Sequence, residues 1–173
     1  MKMNKKLIIA MIAGGISVGG FAQNASAATG NAKAILAGVI GVTESTALNF
    51  GGIVNGLAAA ATATVTVPAN GGAVTYGAGV TAADASATRG LFAVTGDAGL
   101  SYVVSLPASF TITDGASTML VDTFTTDSLS TTYTLSGGGT DTLYVGANLT
   151  VSDPAVNANG TYLGTYTINV NYN

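Results

Sequence analysis

The 173-residue sequence contains no cysteine, no histidine and no tryptophan, and only 8% of its residues are charged. Without cysteine and histidine the chain lacks the commonest metal ligands, the side chain that titrates near neutral pH, the thiol nucleophile and any disulfide. Its five Lys and Arg residues are too few to form the basic cluster that binds nucleic acid. These absences argue against a metal or cofactor site and against a nucleic-acid partner.

The remaining polar residues do not suggest catalysis either. A Ser or Thr nucleophile needs an activating base such as Lys, and carboxylate catalysis needs paired acids. Most acids instead lie beside turn residues, as Asp97, Asp114 and Asp153 do, which is typical of solvated turn carboxylates. We therefore predict no catalytic, cofactor-binding or metal-binding residues, and we do not expect an enzyme.

The N-terminus has the pattern of a secretory signal peptide. Three lysines within the first six residues precede an apolar stretch that runs to about Phe21, and the small residues Ala25, Ser26 and Ala27 follow. The stretch is short and interrupted by glycines, so a membrane anchor is not expected. Cleavage after Ala27 (signal peptide 1–27) leaves 146 residues with two cations and eight carboxylates, a net charge of −6.

From about Ala47 onward the apolar residues recur with a period of two. Short runs rich in β-branched residues are separated by Gly, Pro, Asn and Asp, and no long amphipathic helix interrupts them. The pattern predicts one all-β domain over 47–173, an antiparallel β-sandwich. The predicted strands are 62–67, 73–76, 91–95, 101–106, 109–113, 118–124, 131–135, 142–145 and 148–152.

The segment before this domain is different, since both of its faces are apolar when it is extended. Such a pattern is typical of a strand covered on both sides. We assign 28–46 to an N-terminal extension with a candidate inserting strand at 31–42. An ordinary first strand and an Ala-rich helical turn broken by glycines remain open as alternatives. One face of the candidate strand carries Ala32, Ala34, Leu36, Gly38, Ile40 and Val42.

The last fourteen residues show the most regular alternation in the chain. Thr and Asn dominate one face, and the pattern predicts a long strand over 160–173 with an apolar inner face. A strand at this place has a free edge that calls for a partner. The inner face, together with Gly160 at its start, comprises Tyr162, Gly164, Tyr166, Ile168, Val170 and Tyr172.

This ending carries a resemblance to a known family. Gly160 is the fourteenth residue from the C-terminus and Tyr172 is the penultimate one, which resembles the assembly motif of chaperone–usher pilus subunits. Nearly the whole mature chain also resembles a group of secreted bacterial domains known only as domains of unknown function. That second resemblance rests on the segments 48–54, 92–96, 102–107 and 164–173.

The resemblance to pilus subunits implies an immunoglobulin-like sandwich that lacks its last strand. In such proteins a periplasmic chaperone first supplies a strand, and the N-terminal extension of the next subunit then replaces it. By this resemblance the 31–42 face would be the donor strand, and Gly160 with the inner face of 160–173 would border the acceptor groove. The absence of cysteine departs from many pilins, which carry a disulfide.

The leading hypothesis is therefore a structural subunit of an extracellular filament, a pilus or fimbria, that supports adhesion or biofilm formation. Identical subunits would join head to tail by donor-strand exchange, with a periplasmic chaperone and an outer-membrane usher as partners and the cell surface as destination. The alternative is a monomeric secreted adhesin or carbohydrate-binding sandwich whose first segment folds onto its own domain.

Overall fold

The computed structural model describes residues 29–128, 130 and 132–173, and these contain β-strands and no helix. The chain divides into two units, Met1–Ile35 and Leu36–Asn173. Residues 29–35 of the first unit have no regular secondary structure. The predicted signal peptide lies outside the described residues. Within the described ranges no helix is long and apolar enough to cross a membrane.

Twelve strands account for the regular structure of the second unit. They are β1 Gly41–Thr46, β2 Ile53–Asn55, β3 Thr62–Val67, β4 Thr75–Tyr76, β5 Val80–Ala82, β6 Gly90–Thr95, β7 Ser101–Ser105, β8 Ser109–Thr113, β9 Thr118–Thr126, β10 Thr132–Thr134, β11 Thr140–Ser152 and β12 Asn169–Tyr172.

The strands form where β-branched residues alternate between a buried and a solvent face. In β3 the side chains of Ala63, Val65 and Val67 are buried, whereas Thr62 and Thr64 are exposed. A branched side chain packs well on a pleated surface, and a threonine on the outer face keeps its hydroxyl in water. The predicted all-β, antiparallel sandwich is confirmed.

The large sheet has seven strands and is organised around β11. The strand order is β1-β6-β11-β3-β4, and the β9–β8 pair also joins β11. A three-stranded sheet, β10-β7-β12, and a two-stranded sheet, β2-β5, complete the fold. All pairings are antiparallel.

Two apolar clusters fill the interior beneath the two smaller sheets, and one cluster is covered more completely than the other. One cluster, which includes Phe92, Leu143 and Tyr102, lies between the large sheet and the three-stranded sheet. The other, which includes Val65, Val121 and Leu149, lies beneath the short β2–β5 pair and irregular segments. Phe124 packs against both clusters. The second cluster therefore has the less regular cover.

Gly146 allows β11 to continue through a point of close backbone approach. The pairing of β11 with β9 shifts register between Gly146 and Asn148, as at a β-bulge. A Cβ on the buried Gly146 would overlap the carbonyl oxygen of Val67 and the amide nitrogen of Ala69. Two predicted strands, 142–145 and 148–152, are consequently one strand in the structure.

The C-terminal strand is shorter than predicted, although its alternation is confirmed. Only residues 169–172 pair with β7, because β7 ends at Ser105 and Pro107 has no N–H with which to extend the ladder. Residues 164–168 pair with no strand in the described chain. Nevertheless Tyr166 is half-buried and Ile168 is buried, while the threonines between and beside them are exposed.

We predict that Gly146→Ala lowers the free energy of unfolding by at least about 3 kcal/mol, because the new methyl group meets rigid backbone. The control is Gly137→Ala, since a Cβ at Gly137 meets nothing within 4 Å. Denaturant unfolding of both variants tests the prediction. Equal stability of the two variants would contradict this account of the close approach.

Candidate functional site

An apolar groove of about 880 Å³ opens over the less regularly covered cluster. One flank is the segment 47–53, which follows β1, and the other is the segment 157–166, which precedes β12. The floor consists of apolar side chains from the flank, β8, β9 and β11. The floor residues are Leu48, Phe50, Ile53, Phe110, Ile112, Met119, Leu149 and Val151.

The first flank is fixed to the domain by hydrogen bonds at two points. Asn49 and Thr88 exchange two backbone hydrogen bonds of 2.8 Å. The amide of Gly52 donates to the Asp84 carboxylate at 3.0 Å, and the carbonyl of Gly52 accepts from Ala83. These contacts hold an irregular segment in place on the domain.

The second flank is fixed in a similar way at one point. Leu163 and Thr113 exchange two backbone hydrogen bonds of 2.9 Å. A Cβ on Gly164 would stand 2.7 Å from the Thr111 carbonyl oxygen, so the missing side chain permits this contact. The backbone that follows, residues 164–168, pairs with no described strand. The groove is thus bordered by a strand-like edge whose ladder is incomplete.

Tyr166 stands in the groove wall at the centre of an aromatic cluster. Its ring centroid lies 5.2 Å from Phe124, 5.4 Å from Phe110 and 6.1 Å from Phe92. Burial and, to a lesser degree, the Glu44 carboxylate together raise the pKa of the Tyr166 hydroxyl to about 12. The hydroxyl therefore stays protonated at neutral pH and can act as a hydrogen-bond donor.

Gly38 and Tyr172 meet at the turn that contains Asp97, outside the groove lining. The Gly38 amide donates to the Asp97 carboxylate at 2.6 Å, and the Asp97 amide donates to the Tyr172 hydroxyl at 2.7 Å. Tyr172 fits there because Gly96 has no side chain. The penultimate tyrosine thus fastens β12 to the turn at which the N-terminal segment joins the domain.

The residues predicted as the donor strand fall into two groups, before and after Gly38. Ile40 and Val42 pack against the cluster of Phe92 and Leu143 in their own domain, and β1 occupies Gly41–Thr46. The predicted extension 28–46 therefore overlaps a strand of the sandwich. Leu36 is 99% exposed and Val39 is 93% exposed. Ala32 and Ala34 lie in the first unit, outside any strand.

The predicted acceptor residues also divide into two groups. Gly160, Tyr162, Gly164 and Tyr166 line the groove. Ile168, Val170 and Tyr172 belong to the cluster beneath the three-stranded sheet. Sequence reasoning missed the first flank, although the apolar residues Leu48, Phe50 and Ile53 were a signal for it.

No group of three or more His, Cys, Asp or Glu side chains that could hold a metal ion occurs among the described residues. The groove lining contains one ionisable carboxylate, that of Glu44, and its other polar atoms are amide, hydroxyl and backbone groups. Such a lining suits an apolar peptide segment better than a charged ligand.

Fold and site together define a class of protein: an antiparallel β-sandwich domain with an apolar groove beside an incompletely paired C-terminal segment. The chain belongs to the family described as "Domain of unknown function (DUF4402)", which matches residues 40–172. The match begins at Ile40, where the chain enters its own core. No curated protein and no solved structure matched the chain.

We predict that Asp84→Asn loosens the first flank and removes the contribution of this carboxylate to the pH dependence of the free energy of unfolding. Hydrogen bonds from Ser86 and Gly52 lower the pKa of Asp84 to about 2. A lowered pKa means that its stabilising contribution is complete above the unfolded value near 3.8 and is lost as the pH falls through about 2.

The stability difference between wild type and Asp84→Asn should therefore shrink between about pH 4 and pH 2. Denaturant unfolding across this pH range measures it, and amide exchange at Gly52 should be faster in the variant. A difference that does not change with pH would contradict the assignment.

Proposed function

We propose that this protein is the structural subunit of an extracellular filament, and that its apolar groove accepts the N-terminal segment of another copy. The observation that supports this most directly is the groove itself. Its floor consists of buried and half-buried apolar side chains between two irregular flanks, and one flank continues into the backbone of residues 164–168, which pairs with no described strand. An added strand would cover the apolar floor and pair with the open backbone.

The N-terminal segment has the composition that the groove requires. Within it, residues 34–37 carry no polar side chain, and Lys33, Asn31 and Thr29 precede them. Leu36 is almost fully exposed in its own domain, and burying a leucine stabilises a complex by about 2 kcal/mol before ordering costs. Because Ile40 and Val42 are committed to their own core, the inserting strand is residues 29–37, shorter than the 31–42 predicted from sequence.

Chain length favours insertion into another copy. Residues 29–37 extend over about 30 Å at roughly 3.3 Å per residue, enough to span the six residue steps of the 160–166 flank, about 20 Å. A segment that turned back at Gly38 would use about six residues to return to the level of Glu44, where the groove begins. With cleavage after Ala27, too few residues would remain to fill its own groove.

A head-to-tail geometry follows from the two positions. The extension leaves the domain at Gly38, beside Asp97, while the groove begins beyond Glu44 and runs away from that turn. Donor and acceptor are different surfaces, so the contact is heterologous, and it repeats into an open fibre unless the rotation closes a ring. The predicted signal peptide and the incomplete immunoglobulin-like sandwich are consistent with this proposal. A chaperone and an usher would be the partners for export to the cell surface.

We predict that the double variant Ile35→Asp/Leu36→Asp folds normally and forms no filaments. Leu36 makes almost no contact in its own domain, so the thermal midpoint should be unchanged, whereas a charged side chain cannot enter the apolar floor. Electron microscopy of the purified mature protein measures assembly.

The matched control is Val156→Asp, which places a charge at another exposed apolar position, outside the groove lining. It should assemble like wild type. Filaments formed by the double variant would overturn the donor assignment. A wild-type protein that stays monomeric with residues 29–37 protected within its own chain would favour a monomeric binding module.

A further inference from the structure

The hydroxyl of Tyr166 is the one buried side-chain polar atom without a hydrogen-bond partner in the part of the chain that the structure describes. Buried hydroxyl groups are nearly always bonded, and an orphan is costly to maintain. The other tyrosines of the sandwich interior show the normal situation. Tyr102 donates to Asp141, and Tyr133 donates to Thr126.

The surroundings of Tyr166 explain why its own domain offers no acceptor. The ring lies among the side chains of Phe92, Phe110 and Phe124, which have no polar atoms. The hydroxyl rests against Gly90, where a Cβ would stand 2.9 Å from it. Tyr166 is also part of the groove wall. The ring of Tyr166 therefore borders the groove, while its hydroxyl lies inside the protein against Gly90.

We infer that the Tyr166 hydroxyl donates a hydrogen bond to a backbone carbonyl of the segment that enters the groove. The inference rests on the proposed function and adds to it the residue that recognises the inserted backbone. The acceptor is inferred from the sequence: residues 34–37, the apolar part of the inserting segment, have only Ala, Ile and Leu side chains, so a backbone carbonyl is the only acceptor these four residues offer.

The bond requires the ring of Tyr166 to shift toward the groove. Residues 164–168 pair with no described strand, so no ladder holds the backbone that carries the ring. The surrounding protein covers the hydroxyl. A shift of the ring toward the groove brings the hydroxyl to the inserted carbonyl and removes an unsatisfied donor. Insertion therefore relieves a defect of the free domain.

The test uses the full mature chain, a dilute titration with a labelled synthetic peptide of residues 28–40, and two variants. Tyr166→Phe should bind the peptide about 3- to 10-fold more weakly than wild type, as the loss of one hydrogen bond requires. Its thermal midpoint should equal or exceed that of wild type, because it loses a hydroxyl that has no partner. Tyr133→Phe is the control: it loses the bond to Thr126, so its midpoint should fall while its affinity is unchanged.

The outcomes separate the two levels of the argument. If the peptide binds wild type and Tyr166→Phe equally, the role of the hydroxyl is overturned and the proposed function survives. A Tyr166→Phe midpoint clearly below that of wild type also overturns it, because the hydroxyl then has a partner in the free domain. If the peptide does not bind wild type at all, the proposed function itself is overturned.

Discussion

The feature on which the rest of this account depends is a stretch of backbone that lies extended over an apolar core without a strand beside it. Residues 164–168 alternate buried and exposed side chains as a strand does, yet they pair with no described strand. The partner strand β7 stops before Pro107, so the ladder ends at Asn169. An open edge next to exposed apolar side chains is a liability unless something covers it. This backbone continues the flank 157–166 of the groove, and Tyr166 lies within it.

The N-terminal segment and the last strand meet at one turn of the domain. Asp97 receives the amide of Gly38 through its carboxylate and offers its own amide to the hydroxyl of Tyr172. The turn therefore holds β12 in register and sets the place where the N-terminal segment leaves the domain. Leu36, two residues before Gly38, has almost no contact with its own domain. Ile40, two residues after Gly38, already packs against the core. A segment that is apolar and exposed, attached to a domain with an apolar groove elsewhere, is suited to join copies in series.

Much of the fold could be predicted because its signals are local. The strand 109–113 was predicted with its observed bounds, since β-branched alternation ends there at turn residues on both sides. The short strands β1, β2 and β5 were missed because tertiary partners, not their own sequence, decide their pairing. The alternation over 160–173 correctly predicted which side chains turn inward, but the length of the ladder depended on Pro107 in another strand. For the site, one flank was predicted, and the flank 47–53 was missed although its apolar residues were a signal. The unpartnered state of the Tyr166 hydroxyl depends on Gly90, distant in sequence, and no local pattern reveals it.

The most direct test of the central claim is to find out what Leu36 touches in the assembled protein. A photo-activatable amino acid at position 36, in an equal mixture of isotopically labelled and unlabelled mature chains, allows mass spectrometry to identify each cross-link and the copy that supplied it. The account predicts mixed-label cross-links from position 36 to the groove flanks 47–53 and 157–166 or to the groove floor. Cross-links confined to a single chain, or to surfaces outside the groove, would contradict it.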